Sequence, residues 1–347
     1  MSTMPGVQQI EVAEDAADQR LDRWLKRMFP QLRQGQIEKM CRKGEVRVDK
    51  ARAKANTRVS PGQIVRIPPL PEADEAPPAP PRITDADAEM IRACVIYRDD
   101  DIIALNKPAG LPVQGGSGQI RHVDGMAGAL AFDGAPPKLV HRLDKDTSGV
   151  LLMARTGRAA AALAKSFNAR TTRKIYWAIV AGVPAPKLGT IRYGLVKASG
   201  HGPHGAGEKM HAVHPDEVSD TKGAKHATTD YAVIEALAKR TAWVALVPVT
   251  GRTHQLRAHM AEIGHPIAGD GKYGGSSQEN LGDGWGAGLG GGVSRKLHLH
   301  ARSITIPHPT NGADLHVTAP LPDHMARTWE TFGFNAAEAP EDPFFEE

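Results

Sequence analysis

Lys138-Leu139-Val140-His141-Arg142-Leu143-Asp144-Lys145-Asp146-Thr147-Ser148-Gly149-Val150-Leu151-Leu152 is the stretch on which the reading of this chain turns. Aliphatic residues lead in at Leu139 and Val140, and a second apolar run leads out from Val150 to Met153. The pattern predicts two strands joined by a short exposed connection. Asp144 then falls on a loop held by strands, where catalytic side chains concentrate. A carboxylate flanked by Arg142 and Lys145 is expected to stay ionised and available as a nucleophile. On composition alone the same residues also describe a salt-bridged turn.

The order His-Arg-Leu-Asp differs from the His-Arg-Asp of a protein kinase catalytic loop, and neither a downstream Asp-Phe-Gly nor an upstream glycine-rich strand turn accompanies it. The unbroken run His141 to Gly149 instead resembles the signature of the pseudouridine synthases that modify large-subunit ribosomal RNA and transfer RNA. That resemblance implies that Asp144 is the catalytic residue and that Arg142 displaces the target base.

A length of 347 residues suits two domains and can bury a full core without disulfide or metal staples. The two cysteines, Cys41 and Cys94, lie far apart and imply no disulfide framework or zinc cluster, which fits a reducing, cytoplasmic setting. Residues 1–17 carry Glu11, Glu14 and Asp15 without an apolar core, so no signal peptide is expected, and no run is apolar enough to span a membrane. The net charge is +4, but it is unevenly spread: Asp18 to Arg66 holds 14 basic and 5 acidic residues, leaving the remainder at −5. So dense a positive module points to phosphate, because neutralising phosphates releases condensed counterions.

Within that module Leu21, Trp24, Leu25 and Met28 repeat at helical spacing, with Arg20, Arg23, Lys26 and Arg27 on other faces and Pro30 as terminator. A second helix is expected with Ile37, Met40 and Cys41 inward and Gly44 as its stop, followed by strands at 46–48 and 64–67. Arg20-Leu21-Asp22-Arg23-Trp24-Leu25 and Arg42-Lys43-Gly44-Glu45-Val46-Arg47-Val48-Asp49 resemble the small RNA-binding fold of the ribosomal protein S-four type, over residues 18–67. The resemblance implies RNA contact by a basic helix face, and Arg33, Lys39, Arg42, Lys43 and Arg47 are the candidate phosphate ligands. Seven prolines in 68–82 predict an extended linker, taken as 68–88, that separates this module from a catalytic domain at 89–330.

The catalytic domain is expected to open with a hairpin over 94–110, turning through Arg98-Asp99-Asp100-Asp101; the three aspartates read as a solvated turn rather than a magnesium site. The glycine-rich stretch 113–118 lacks the Gly-Lys-Ser/Thr ending of a nucleotide loop and reads as a flexible approach to RNA. A helix over 158–168 and a strand over 174–182 follow. Family resemblance assigns Tyr176, in Lys-x-Tyr-x-Ala, to packing against the extruded base. His201 and His204, and His211 and His214, form two His-x-x-His pairs, with His226 nearby, but no cysteine or carboxylate completes a zinc set, so these histidines are read as decorating a mobile loop near RNA. The second signature, Gly251-Arg252-Thr253-His254-Gln255, follows a strand at 243–249. The resemblance implies that Arg252 pairs with Asp144 and that Leu256 walls the uracil pocket. Residues 274–292, with nine glycines, read as a loop; 331–347 is taken as an acidic tail, of which Glu338 to Glu347 is expected to be disordered.

The resemblance covers about residues 8 to 325. It implies an α+β fold, a mixed and mostly antiparallel sheet around a central cleft, and an isomerase that converts uridine to pseudouridine in large-subunit (23S) ribosomal RNA. No cofactor and no metal is expected, nor any membrane association, and the enzyme is expected to be a monomer. Transfer RNA as substrate, a catalytically inert RNA-binding assembly factor, and a hydrolase using Asp144 with His141 or His254 stay open as alternatives.

Overall fold

The computed structural model describes residues 6–32, 34–70, 83–115, 121–132, 134–169, 171–198, 209–274 and 293–344. Two units, Met1–Arg82 and Ile83–Glu347, each carry their own core. In the first, β1 (Gln8–Glu11), β2 (Gln19–Arg20), α1 (Leu21–Met28), α2 (Gln34–Lys43), β3 (Arg47–Val48), β4 (Ala51–Arg52), β5 (Arg58–Val59) and β6 (Ile64–Ile67) follow one another. Helix α1 buries Leu21, Trp24 and Leu25 against Ile37 and Cys41 of α2 and against Val48, Val65 and Ile67 of the β1-β6-β3-β4 sheet. The fourth expected member of that stripe, Met28, is 42% exposed, and Phe29 is buried instead. Phe29 leaves the helix at φ −133° while its N–H still reaches Leu25 O, which turns the larger ring inward. Gly44 ends α2 as expected, left-handed at φ +73°, with its N–H on Cys41 O.

The module extends past both expected ends. Strand β1 pairs with β6 from Gln8↔Ile67 to Glu11↔Ile64, so ordered structure begins before residue 18. Leu70 packs into the same core beyond residue 67. Of the expected linker 68–88, residues 71–82 lie outside the described residues, and a helix already starts at Asp85, capped by the Thr84 hydroxyl accepting from Asp87 N–H.

The second unit runs α3 (Asp85–Ala93), β7 (Val95–Arg98), β8 (Ile102–Lys107), α4 (Val123–Met126), β9 (Lys138–Leu139), β10 (Ser148–Ala154), α5 (Gly157–Ala169), β11 (Arg173–Ala181), β12 (Leu188–Ile191), β13 (Gly194–Lys197), β14 (Met210–Val213), β15 (Lys225–His226), β16 (Thr229–Leu237), β17 (Thr241–Pro248), α6 (Gln255–Glu262), β18 (Leu299–Pro307), β19 (Asp314–Thr318) and α7 (Asp323–Phe332). Its main sheet has the order β12-β16-β17-β11-β18-β10-β8-β7, with β19 against β18 and β9 against β10. Among the described residues β10–β18 is its one parallel pair, so the sheet is mixed and mostly antiparallel, as expected.

Strand β10 is buried along its whole length because it serves two cores. Leu151 and Met153 join Ile103, Leu105 and Ile91 on one face; Val150, Leu152 and Ala154 join Ala159 and Leu163 of α5 on the other. Strand β17 divides likewise, with Val244 and Leu246 on one side and Trp243, Ala245 and Val247 beside Trp329 of α7 on the other. The sheet thus forms a rigid floor, and loops at its edge carry the polar signatures.

Two expectations are corrected here. The triple-aspartate turn is not simply solvated: Asp99 accepts from Tyr97 Oη at 2.5 Å, from the N–H groups of Asp101 and Ile102, and faces His308 Nε2 at 3.0 Å. Asp101 is buried and accepts from the hydroxyls of Thr156 and Thr310, so the turn knots three segments together. The acidic tail is also ordered where described. Helix α7 continues to Phe332, Phe334 packs on Trp329 and Trp243, and Asp342 takes a two-pronged contact from Arg173 at 2.9 and 2.8 Å. Aromatic burial outweighs the repulsion that acidic composition alone suggests.

Gly149 opens β10 beside Ala301 with φ +107°, and a Cβ there would overlap the Ala301 carbonyl. We expect Gly149→Ala to cost about 2 to 4 kcal/mol, through left-handed strain and overpacking together. Denaturant melts of the full chain would show this as a lower midpoint at unchanged slope.

Candidate active site

The first signature forms a closed loop because its ends pair: Leu139 of β9 sits opposite Met153 of β10, and Lys138 opposite Ala154. Three anchors shape the span between. His141 Nε2 accepts from Leu152 N–H at 2.8 Å and its ring packs on Phe167 at 4.6 Å, so Nδ1 carries the proton; burial pulls the imidazole down to about 3 and keeps it neutral. Ser148 Oγ lies 2.9 Å from His300 Nδ1, while His300 Nε2 reaches Ala319 O at 3.2 Å. The carbonyl can only accept, so the serine hydroxyl donates to the ring.

The third anchor is Lys107, which has no solvent exposure. Its Nζ donates to the carbonyls of Pro108 at 2.9 Å, Leu111 at 2.8 Å and Lys145 at 2.9 Å, and Gly110 N–H donates to the same Lys145 oxygen. The entry hairpin and the signature loop are therefore tied at the peptide that follows Asp144. Asp144 itself keeps 27% of its side chain exposed and faces a cleft of about 800 Å³. That volume suits one nucleotide.

The opposite wall comes from the loop between β17 and α6, held by Gln255. Its Oε1 accepts from Thr250 Oγ1 at 2.6 Å and Arg252 N–H at 3.1 Å; its Nε2 donates to Thr228 O at 2.8 Å and Thr229 Oγ1 at 3.0 Å. With every amide hydrogen-bonding site engaged, the turn is locked, and His254 adopts a left-handed conformation (φ 51°, ψ 20°) at the start of α6. Arg257, one turn into the helix, is buried and makes a two-pronged pair with Asp270 at 2.7 and 2.7 Å. Its Nη1 stands 3.8 Å from Asp144 Oδ2, and His254 Nε2 stands 3.9 Å from the same oxygen.

The expected pairing of Arg252 with Asp144 is therefore corrected. Arg252 lines the same cleft but is exposed and donates through Nε to His226 O at 3.3 Å; the guanidinium within ion-pair distance of Asp144 is that of Arg257. The reason is helical geometry: Arg257 lies three residues after His254 and shares its face, whereas Arg252 precedes the helix. That spacing was visible in His254-Gln255-Leu256-Arg257, and the buried partner Asp270 explains why an arginine can sit there at all.

Tyr176 lines the cleft from β11, where a bulge between Ile175 and Tyr176 shifts the register against β18. The bulge aims the ring between the two cores on that face of the sheet, both of which it touches. Burial, reinforced by Asp144, raises the affinity of its hydroxyl for its proton, so the ring stays neutral. Leu256 is buried in the wall below. Arg142 and Arg252, both exposed, and the half-buried Lys174 line the cleft, a basic lining suited to a polyanion.

In the first unit Lys39, Arg42, Lys43 and Arg47 are all exposed, with Arg47 leaning on the carbonyls of Gly44 and Lys50. Arg33 lies outside the described residues, as do His201, His204 and nearly all of the glycine-rich stretch 274–292. The expected histidine loop is corrected where described: His211 lies in β14 and His226 in β15, both paired with β13. Among the described residues no cluster of histidine, cysteine and carboxylate could hold a metal ion.

A cleft joining an aspartate, a buried arginine and a tyrosine on a mostly antiparallel sheet points to a class that sequence comparison identifies. Residues 101–262 match the RNA pseudouridylate synthase family and residues 19–65 the S4 domain. The chain belongs to the RNA pseudouridylate synthase family, and it is an isomerase acting on RNA. It is 35% identical over 320 residues to the ribosomal large subunit pseudouridine synthase C of Vibrio cholerae, covering 92% of this chain and 95% of that one. The protein of the same description from Rickettsia bellii is 35% identical over 312 residues, 89% and 96% of the two chains. Among solved structures, human RNA pseudouridylate synthase domain containing 4 aligns with a TM-score of 0.55 at 28% identity, over 71% of this chain and 95% of that one.

Removing the Lys107 amino group strands three carbonyls, and Lys107→Met is expected to cost about 3 kcal/mol or more. Burial lowers the lysine from 10.5 to about 7. Between those two values the unfolded chain holds more protons than the fold, so the stability linked to this residue rises with pH and is lost as pH falls toward 7. Denaturation of wild type and Lys107→Met across that range should show a flatter pH dependence in the variant.

Proposed function

We propose that this enzyme converts specific uridines of large-subunit (23S) ribosomal RNA to pseudouridine, with Asp144 as the catalytic carboxylate and no cofactor. It acts as a monomer in the cytoplasm, where the ribosome is assembled. The substrate assignment rests on the relatives named above, whose names specify the large ribosomal subunit. The assignment of Asp144 rests on one observation: residues distant in sequence, Asp144, Tyr176 and Arg257, line one nucleotide-sized cleft with a basic lining.

The reaction breaks the bond between uracil N1 and ribose C1′, turns the base, and joins C5 to C1′; a proton leaves C5 and N1 gains one. Product and substrate are isomers, so nothing is consumed. Asp144 serves this either by adding to the base or by acting on the sugar and stabilising the detached intermediate. Tyr176 offers a flat, neutral surface for the extruded base, and Arg142 at the exposed lip fills the space the base leaves in the RNA. Extrusion costs a few kcal/mol of stacking. Phosphate contacts by the amino-terminal module, at Arg33, Lys39, Arg42, Lys43 and Arg47, supply binding energy from non-reacting parts of the RNA that offsets it.

Ribosomal RNA from a strain lacking the gene, incubated with purified enzyme and mapped chemically for pseudouridine, tests the reaction and the substrate together. We expect modified positions in large-subunit RNA; sites confined to transfer RNA, or release of free uracil, would refute the assignment. Asp144→Asn should lower the rate by on the order of 10⁴-fold while leaving RNA affinity within about twofold. Replacing Lys39, Arg42 and Lys43 together by alanine should instead weaken RNA binding and reduce the salt slope of log K by about 2 to 3.

A further inference from the structure

His254 and Tyr273 have no part in the roles assigned so far, yet both touch the site. The Tyr273 hydroxyl accepts from Met210 N–H at 2.8 Å and lies 3.1 Å from His254 Nδ1. Their rings meet edge to face, with centroids 5.8 Å apart at 90°. The backbone amide can only donate, so the phenol proton is left for His254 Nδ1. Burial lowers the proton affinity of His254 against the opposing pull of Asp144, so the ring is neutral and carries one hydrogen. With Nδ1 accepting, that hydrogen is on Nε2, the nitrogen 3.9 Å from Asp144 Oδ2.

We propose that His254 is a positioning residue for Asp144: Tyr273 fixes its Nε2–H tautomer, and that N–H, beside the Arg257 guanidinium, holds Oδ2 so that Oδ1 is the oxygen presented to substrate. The inference rests on Asp144 being the catalytic carboxylate. At 3.8 and 3.9 Å both donors face Oδ2 just beyond hydrogen-bond length, close enough to orient the carboxylate electrostatically. The left-handed backbone at His254 agrees with this role. It is a conformation few side chains adopt, held by the Gln255 hydrogen bonds, and it places the ring at the cleft rather than over the helix end, where it makes no capping hydrogen bond.

The chain Met210 N–H to Tyr273 Oη to His254 to Asp144 makes a prediction that packing alone does not. Asparagine tolerates the left-handed backbone, but its amide ends near the position of Nδ1; glutamine extends its amide to the position of Nε2 and donates without a tautomer to fix. With large-subunit RNA from the deletion strain as substrate, His254→Asn should lower kcat about 10- to 100-fold with KM within about twofold. His254→Gln should return kcat to within about fivefold of wild type. Tyr273→Phe should cost about tenfold in the wild-type background and far less in the His254→Gln background. The contact with Met210 is lost in both and cancels. Equal cost in the two backgrounds, or an effect on KM alone, would overturn the proposal. Nitrogen NMR of the full-length protein provides a second readout independent of turnover: wild type should show protonated Nε2 at His254, and a protonated Nδ1 would refute the assignment. If the wild-type enzyme makes no pseudouridine, or Asp144→Asn stays active, the catalytic reading fails instead, and the two failures are told apart.

Discussion

A buried lysine amino group organises this site. Lys107 lies inside the catalytic unit with three carbonyls as its partners, one of them belonging to Lys145, the residue after Asp144. Its confinement is costly for a charged group, and the three hydrogen bonds offset that cost only if both the Lys-Pro-x-Gly turn and the signature loop are in place. The loop therefore has one conformation compatible with a satisfied Lys107. The neutral His141 ring and the parallel step from Gly149 onto Ala301 restrict the same loop at its two ends. Asp144 is thus presented at a cleft by a segment whose backbone has little freedom, as the catalytic role proposed for it requires.

The other wall uses charge differently. Arg257 is divided between two carboxylates: Asp270, with which it is fully paired, and Asp144, which it faces at longer range. The full pairing with Asp270 lets an arginine reside in the interior, and the remaining Nη1 supplies a fixed positive end toward the cleft without collapsing onto Asp144. Gln255 and the strained His254 keep that helix start where it is. A preorganised field of this kind needs no rearrangement at the moment of reaction.

Several local readings were changed by packing. Met28 was expected inside and Phe29 is found there, because the chain leaves the helix one residue later and the larger ring fills the space. Asp99 and Asp101 were expected in solvent and are engaged by Tyr97, His308, Thr156 and Thr310, two of them about two hundred residues away in the chain. The residues from Glu338 onward were expected to be disordered on composition, yet Ala339 and Phe344 pack on the aromatic core of α7 and the Arg173–Asp342 pair docks them. In each case the decisive partner is remote in sequence, and local composition carries no information about it.

The sequence by itself determined the class of this protein: the unbroken run from His141 to Gly149, Gly251-Arg252-Thr253-His254-Gln255, and the confined positive charge ahead of a proline-rich stretch. It also determined the strands that hold these runs, because alternation and helical spacing are local properties of the chain. Which guanidinium faces Asp144 was decided only by the tertiary structure. Arg252 and Arg257 are equally plausible by charge, and the choice depends on where a helix begins and on a buried Asp270 thirteen residues further on. Tyr273 and Lys107 likewise gain their meaning only when the fold brings a phenol to His254 and an amino group to the carbonyl of Lys145. Long-range hydrogen bonds are set by the packing of whole elements, which no local pattern encodes.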